Sequence, residues 1–111
     1  MTKAKLYNIL SETGYKVTSV RFKNAITPPY ICYELSNKRG IFANGVQVGE
    51  VVEFSIYFFK LKTDLESEKV LEEVFLKHNI AYSVDLQYQY VEDENIELLI
   101  YKFEDYQAKG V

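Results

Sequence analysis

Tryptophan is absent from this chain of 111 residues, and cysteine, histidine and methionine occur once each. A single cysteine, Cys32, cannot form an internal disulfide, which fits a reducing compartment. One histidine and one cysteine cannot supply a site with several such ligands, which argues against structural zinc. Glycine is sparse: the five glycines are dispersed, and neither a GxGxxG nor a GKS/GKT pattern occurs, so there is no glycine-rich phosphate cradle. A basic excess is also missing. Thirteen Lys and Arg stand against sixteen Asp and Glu, a net charge of −3. That balance is wrong for a nucleic-acid binder that works by neutralising phosphates. Long apolar runs are lacking too. Ile56-Tyr57-Phe58-Phe59 is among the longest, far too short to span a bilayer. Met1-Thr2-Lys3-Ala4-Lys5 leads into an amphipathic stretch, so no signal peptide is expected.

What the chain does have is aromatics: ten Tyr and seven Phe. Tyrosine buries apolar area and keeps a polar tip, so it suits half-buried strands and interfaces alike. The plainer explanation is that aromatics favour strands. Hydrophobic residues make up 48 % and charged residues 26 %, ordinary for a folded protein. The length predicts one domain over residues 1–111, able to bury a core without staples.

Residues 2–13 predict a helix, with Thr2 as its N-cap, Leu6, Ile9 and Leu10 at helical spacing, and Gly14 at the end. A strand is expected over 15–22. Pro28 and Pro29 forbid helix and remove two backbone donors, which suits the start of a strand over 30–35. Ser36-Asn37-Lys38-Arg39-Gly40 and Asn44-Gly45 carry turn chemistry, so 36–48 is expected to be a long hairpin loop. Val51–Phe59 is the clearest strand: Val52, Phe54, Ile56 and Phe58 should face the core, with Glu53, Ser55, Tyr57 and Phe59 on the other face. Thr63 with Glu66 forms a potential capping box for a helix over about 63–78, with Leu65, Val70, Leu71, Val74 and Phe75 as its apolar stripe. Residues 81–91 alternate as a strand, and Glu92-Asp93-Glu94-Asn95 is a turn. Residues 96–104 are apolar on both faces and so should be central or covered. The tail over 106–111 should fray. The fold class is α+β: a mostly antiparallel four- to five-stranded sheet carrying an N-terminal helix and one longer helix.

No catalytic set emerges. Cys32 and His78 would form a dyad only if the fold joined them. A buried strand cysteine and a helix-terminal histidine explain them more simply. Asp64, Glu66 and Glu68 could suggest a metal-dependent nuclease, yet acids are favoured at helix N-termini for dipole reasons alone. The residues left for function are surface ones. Lys38, Arg39 and Phe42 sit in the long loop. Glu92, Asp93 and Glu94 form an acidic tip of opposite charge, and Tyr57 and Phe59 make the second face of the long strand aromatic. Loops of opposite sign suit head-to-tail contacts between copies. No catalytic, metal-binding or cofactor-binding residue is expected.

Phe22 followed by Thr27-Pro28-Pro29-Tyr30-Ile31-Cys32-Tyr33 resembles the "F…TPPYIVY" segment of tail completion, or tail terminator, proteins of long-tailed phages and prophages of Gram-positive bacteria. Cys32 stands where that family has Val. Val51-Val52-Glu53-Phe54-Ser55-Ile56-Tyr57-Phe58-Phe59 occupies the place of its "…IELYT" strand. Thr63 through His78 is similar to its acidic-start helix. Tyr88 through Glu104 resembles its closing hairpin. The likeness covers roughly residues 6–105.

The resemblance implies a non-enzymatic subunit that completes the tail tube and joins tail to head. Such proteins assemble as a ring, commonly a hexamer, against the tail tube protein on one side and head–tail connector proteins on the other. DNA passes through without specific binding. No membrane is involved and no cofactor is implied. The product is a virion component assembled in the bacterial host cytoplasm. A head-side connector or minor capsid component is the alternative within that class. A small regulatory module that binds a peptide or ligand is the alternative outside it.

Overall fold

The computed structural model describes residues 1–19, 27–87 and 95–108. Among these residues the chain forms α1 (Lys3–Ser11), β1 (Lys16–Ser19), β2 (Tyr30–Ala43), β3 (Val46–Leu61), α2 (Leu65–Lys77), β4 (Ser83–Gln87) and β5 (Ile96–Ala108). The fold is α+β, with one sheet ordered β1-β2-β3-β5-β4. The sheet is mixed rather than purely antiparallel. β1 runs parallel to β2, and the other pairings are antiparallel.

The helices form where local chemistry allows. Thr2 caps α1 by accepting a hydrogen bond from the Lys5 amide at 3.1 Å, which satisfies one of the donors a helix start leaves orphaned. The cap of α2 is Asp64, not the expected Thr63. Its carboxylate accepts from the Ser67 amide at 3.1 Å. The helix ends at His78, and Asn79 takes the left-handed conformation with φ 55°, a role that Asn tolerates.

Strand alternation fixes the core. Val52, Phe54, Ile56 and Phe58 are at most 2 % exposed, as are Leu99 and Tyr101 opposite them on β5. The ladder places Phe54 against Phe103, Ile56 against Tyr101 and Phe58 against Leu99. Ile31 and Tyr33 of β2 extend this layer. Leu6, Ile9 and Leu10 of α1 and Leu71, Val74 and Phe75 of α2 cover it. Each fully buried side chain of this size contributes about 1.5–3 kcal/mol of transfer free energy. Leu65 does not join the stripe expected of it. It opens the helix and stays 65 % exposed.

Two expectations fail for one reason. Residues 36–48 are not a loop, because β2 and β3 run on to Ala43 and Val46 and close on Asn44-Gly45. Both turn residues have positive φ, 52° and 77°, the signature of a two-residue type I′ hairpin turn. Residues 106–108 do not fray. They pair with Val51, Glu50 and Gly49 as the end of β5. In both places the ladder of β3 supplies backbone partners that a reading of each segment alone omits. Bulges between Leu35 and Asn37, and opposite Ile41 and Phe42, interrupt the pairing. They accommodate the residues that break the alternation.

Candidate functional site

The hairpin of β2 and β3 continues past the helices as a two-stranded finger, with the end of β5 along its root. It stretches the molecule to 52 × 27 × 24 Å. Its tip carries large apolar side chains in water: Phe42 is 66 % exposed and Val46 65 %. Glycines shape both faces. The Phe42 ring lies against Gly40, where an added Cβ would sit 3.0 Å from the ring. On the opposite face Tyr106 lies across Gly49, where a Cβ would come within 2.8 Å of the phenol oxygen. Both rings can rest on bare backbone because these glycines have no side chain.

The expected basic pair is on this finger. Lys38 and Arg39 occupy successive β2 positions and therefore opposite faces. The Lys38 ammonium lies 3.5 Å from Glu50, and the Arg39 guanidinium donates to Glu104 at 3.3 Å. Both heads stay more than half exposed, so each pair contributes little to stability, at most about 1 kcal/mol. The acidic tip Glu92-Asp93-Glu94 lies outside the described residues.

Tyr57 and Phe59 sit on the sheet face that, among the described residues, carries no helix. Both are half-buried. Phe59 stacks on its cross-strand partner Tyr30, with centroids 4.6 Å apart and planes 15° apart. The Tyr57 hydroxyl donates to Glu34 at 2.6 Å. Cys32, Ser55 and Leu98 of this face are at most 4 % exposed. The face thus carries half-buried rings, whereas Phe42 and Val46 of the finger are exposed. Cys32 projects to this side of the sheet, whereas His78 ends α2 on the other and lies 2.6 Å from Glu12. The two do not meet. Lys77 also donates to Glu12, and these two contacts hold the Glu12 carboxyl below its usual range.

Two features escape a reading of the sequence. One is a polar seam under α2. Glu72 accepts from the Tyr82 hydroxyl at 2.8 Å and from the Tyr101 hydroxyl at 2.9 Å. Burial, then the Glu72 carboxylate, pushes the Tyr82 phenol up to about 12 and raises that of Tyr101 further. Burial and the same carboxylate raise Glu68. Beside them Lys60, 1 % exposed, lies 3.3 Å from Glu97 and donates to the Asp64 carbonyl at 3.1 Å. Its signal is in the strand phase, since Lys60 and Glu97 both fall on core-facing positions. Asp64 is engaged as the helix cap, and Glu66 lies 3.8 Å from Lys69. Among the described residues no group of three or more His, Cys, Asp and Glu is placed to hold a metal.

The second feature is an open groove between α2 and the start of β4, lined by Leu76, Ile80 and Tyr82 with Lys69, Glu72 and Glu73 at its rim. Leu76 is 77 % exposed. It is an apolar residue on the wet side of an amphipathic helix, and that misplacement is its sequence signal.

Neither a model of a known protein family nor a curated protein matches the chain. No helix among the described residues is long and apolar enough to cross a membrane.

Proposed function

We propose that this chain is a non-enzymatic structural protein of a phage or prophage that completes the tail tube and joins tail to head as an oligomeric ring. The finger is the observation that carries the reading. A lone chain gains nothing by holding Phe42 and Val46 in water at the end of a rigid hairpin. Large apolar side chains held in water on both faces of one projecting tip suit an association surface. The likeness of residues 6–105 to tail completion proteins supports the same reading, as does a negative net charge that suits passage of DNA without binding it. The ring, a hexamer in this reading, presents one side to the tail tube protein and the other to the head–tail connector. Lys38, Arg39 and Phe42 on the finger and the Tyr57/Phe59 edge are the contact candidates.

The test mixes the purified chain with its cognate tail tube protein under negative-stain microscopy and light scattering. Rings capping tubes of bounded length are expected. A chain that stays monomeric both alone and with the tube protein would refute the proposal.

A further inference from the structure

Resting on this assembly reading, we infer that the contact between copies is heterologous: the Phe42 knob of one copy docks in the α2/β4 groove of the next. The two surfaces differ in shape. One is a projecting finger with a phenyl ring laid on Gly40 and exposed at 66 %. The other is a groove floored by Ile80 and Tyr82, with Leu76 exposed at 77 % along its wall. A convex apolar patch and a concave one on the same chain complement each other, not themselves. That is the geometry of a head-to-tail contact, which closes a ring or grows a filament rather than stopping at a two-fold dimer.

The finger cannot fill its own groove. Tyr82 of the groove packs on Tyr101, which pairs with Ile56 of β3. The turn at Asn44-Gly45 lies about 25–30 Å further along the same strand, and the ladder carries the hairpin away from that level. The outermost segment of the finger and α2 also differ in charge. Residues 36–48 contain Lys38 and Arg39 and no acid. α2 carries four glutamates, Glu66, Glu68, Glu72 and Glu73, against two lysines, Lys69 and Lys77. Lys38 and Arg39 already have within-chain partners in Glu50 and Glu104, so the apolar knob supplies the affinity.

Sedimentation of the full chain tests this with Phe42→Asp and Leu76→Asp, two exposed positions where an aspartate does not disturb the core. Wild type is expected to self-associate beyond a dimer as concentration rises, and each variant alone to remain monomeric. An equimolar mixture should form a one-to-one dimer and nothing larger, because one variant retains the groove and the other retains the knob. That dimer also shows that both variants are folded. Wild-type oligomers that survive either substitution would overturn the knob-and-groove contact and leave the ring reading standing. So would a mixture that yields no dimer while wild type assembles. A wild type that stays monomeric alone would overturn the contact, and only continued monomer with tube protein present would also end the ring reading.

Discussion

Lys60 occupies the last place in the core-facing series Val52, Phe54, Ile56, Phe58 and Lys60, and is as buried as its apolar neighbours. Its ammonium is held by Glu97 at 3.3 Å and by the carbonyls of Asp64 and Leu61. An unpaired charge at this depth is costly, whereas replacing both partners by apolar residues is often neutral. Glu97→Leu should therefore destabilise the chain by about 3 kcal/mol, in line with broken buried pairs. Adding Lys60→Met should recover most of that loss, as read from urea unfolding midpoints. A double variant as unstable as the single would mean that the pair does more than neutralise itself. The phase of both residues is legible in the sequence, because each alternates with core residues. What is not legible is the register that sets Lys60 directly opposite Glu97, since it depends on a pairing between segments more than thirty residues apart.

At the scale of elements, what the sequence reveals follows from how local the controlling interaction is. Thr2, the stripe of Leu71, Val74 and Phe75, and the alternation of β3 and β5 all signal structure within a few residues. The Ser36–Gly40 run signals a turn, yet it is strand, because β3 offers it a ladder. β1 joins the sheet in parallel through contacts with β2 that no local pattern announces. The same holds for the clasp between α2 and the sheet. Glu72 of α2 accepts from Tyr82 and Tyr101, and the rings of Phe75, Tyr82 and Tyr101 pack within 5.4 Å of one another. Both phenols are held protonated well above their usual 10. The unfolded chain therefore loses these protons first as pH rises. The stability they confer is whole below pH 10 and declines above it, through about 12 for Tyr82. The stability lost per pH unit above 10 should fall in Tyr101→Phe by up to about 1.4 kcal/mol, the limit for one proton. Chemical unfolding at pH 9, 10 and 11 measures it. An unchanged slope would show that Tyr101 titrates alike in both states.

The whole molecule is more extended than its length requires. Its radius of gyration is 15.7 Å, against about 13 Å for a compact chain of this size, and a projecting finger adds to such a figure. The core under α1 and α2 is built from β2 up to Leu35, β3 from Val52 and β5 up to Phe103, so the outer finger lies outside it. A chain in which residues 41–49 are replaced by Asn-Gly keeps a two-residue turn between Gly40 and Glu50, which already face each other across the ladder. That variant should fold with nearly the same melting temperature, because only exposed apolar tips and a few outer ladder bonds are removed. Small-angle scattering should show the longest dimension shortened by about 10 Å, three rungs of the ladder at about 3.3 Å each. The same variant should fail to self-associate and fail to cap tail tubes, since it lacks the knob while its groove is intact. A shortened chain that still assembles would move the contact to the Tyr57/Phe59 face, whereas one that melts far lower would make the finger part of the folding unit rather than a limb extended toward a partner.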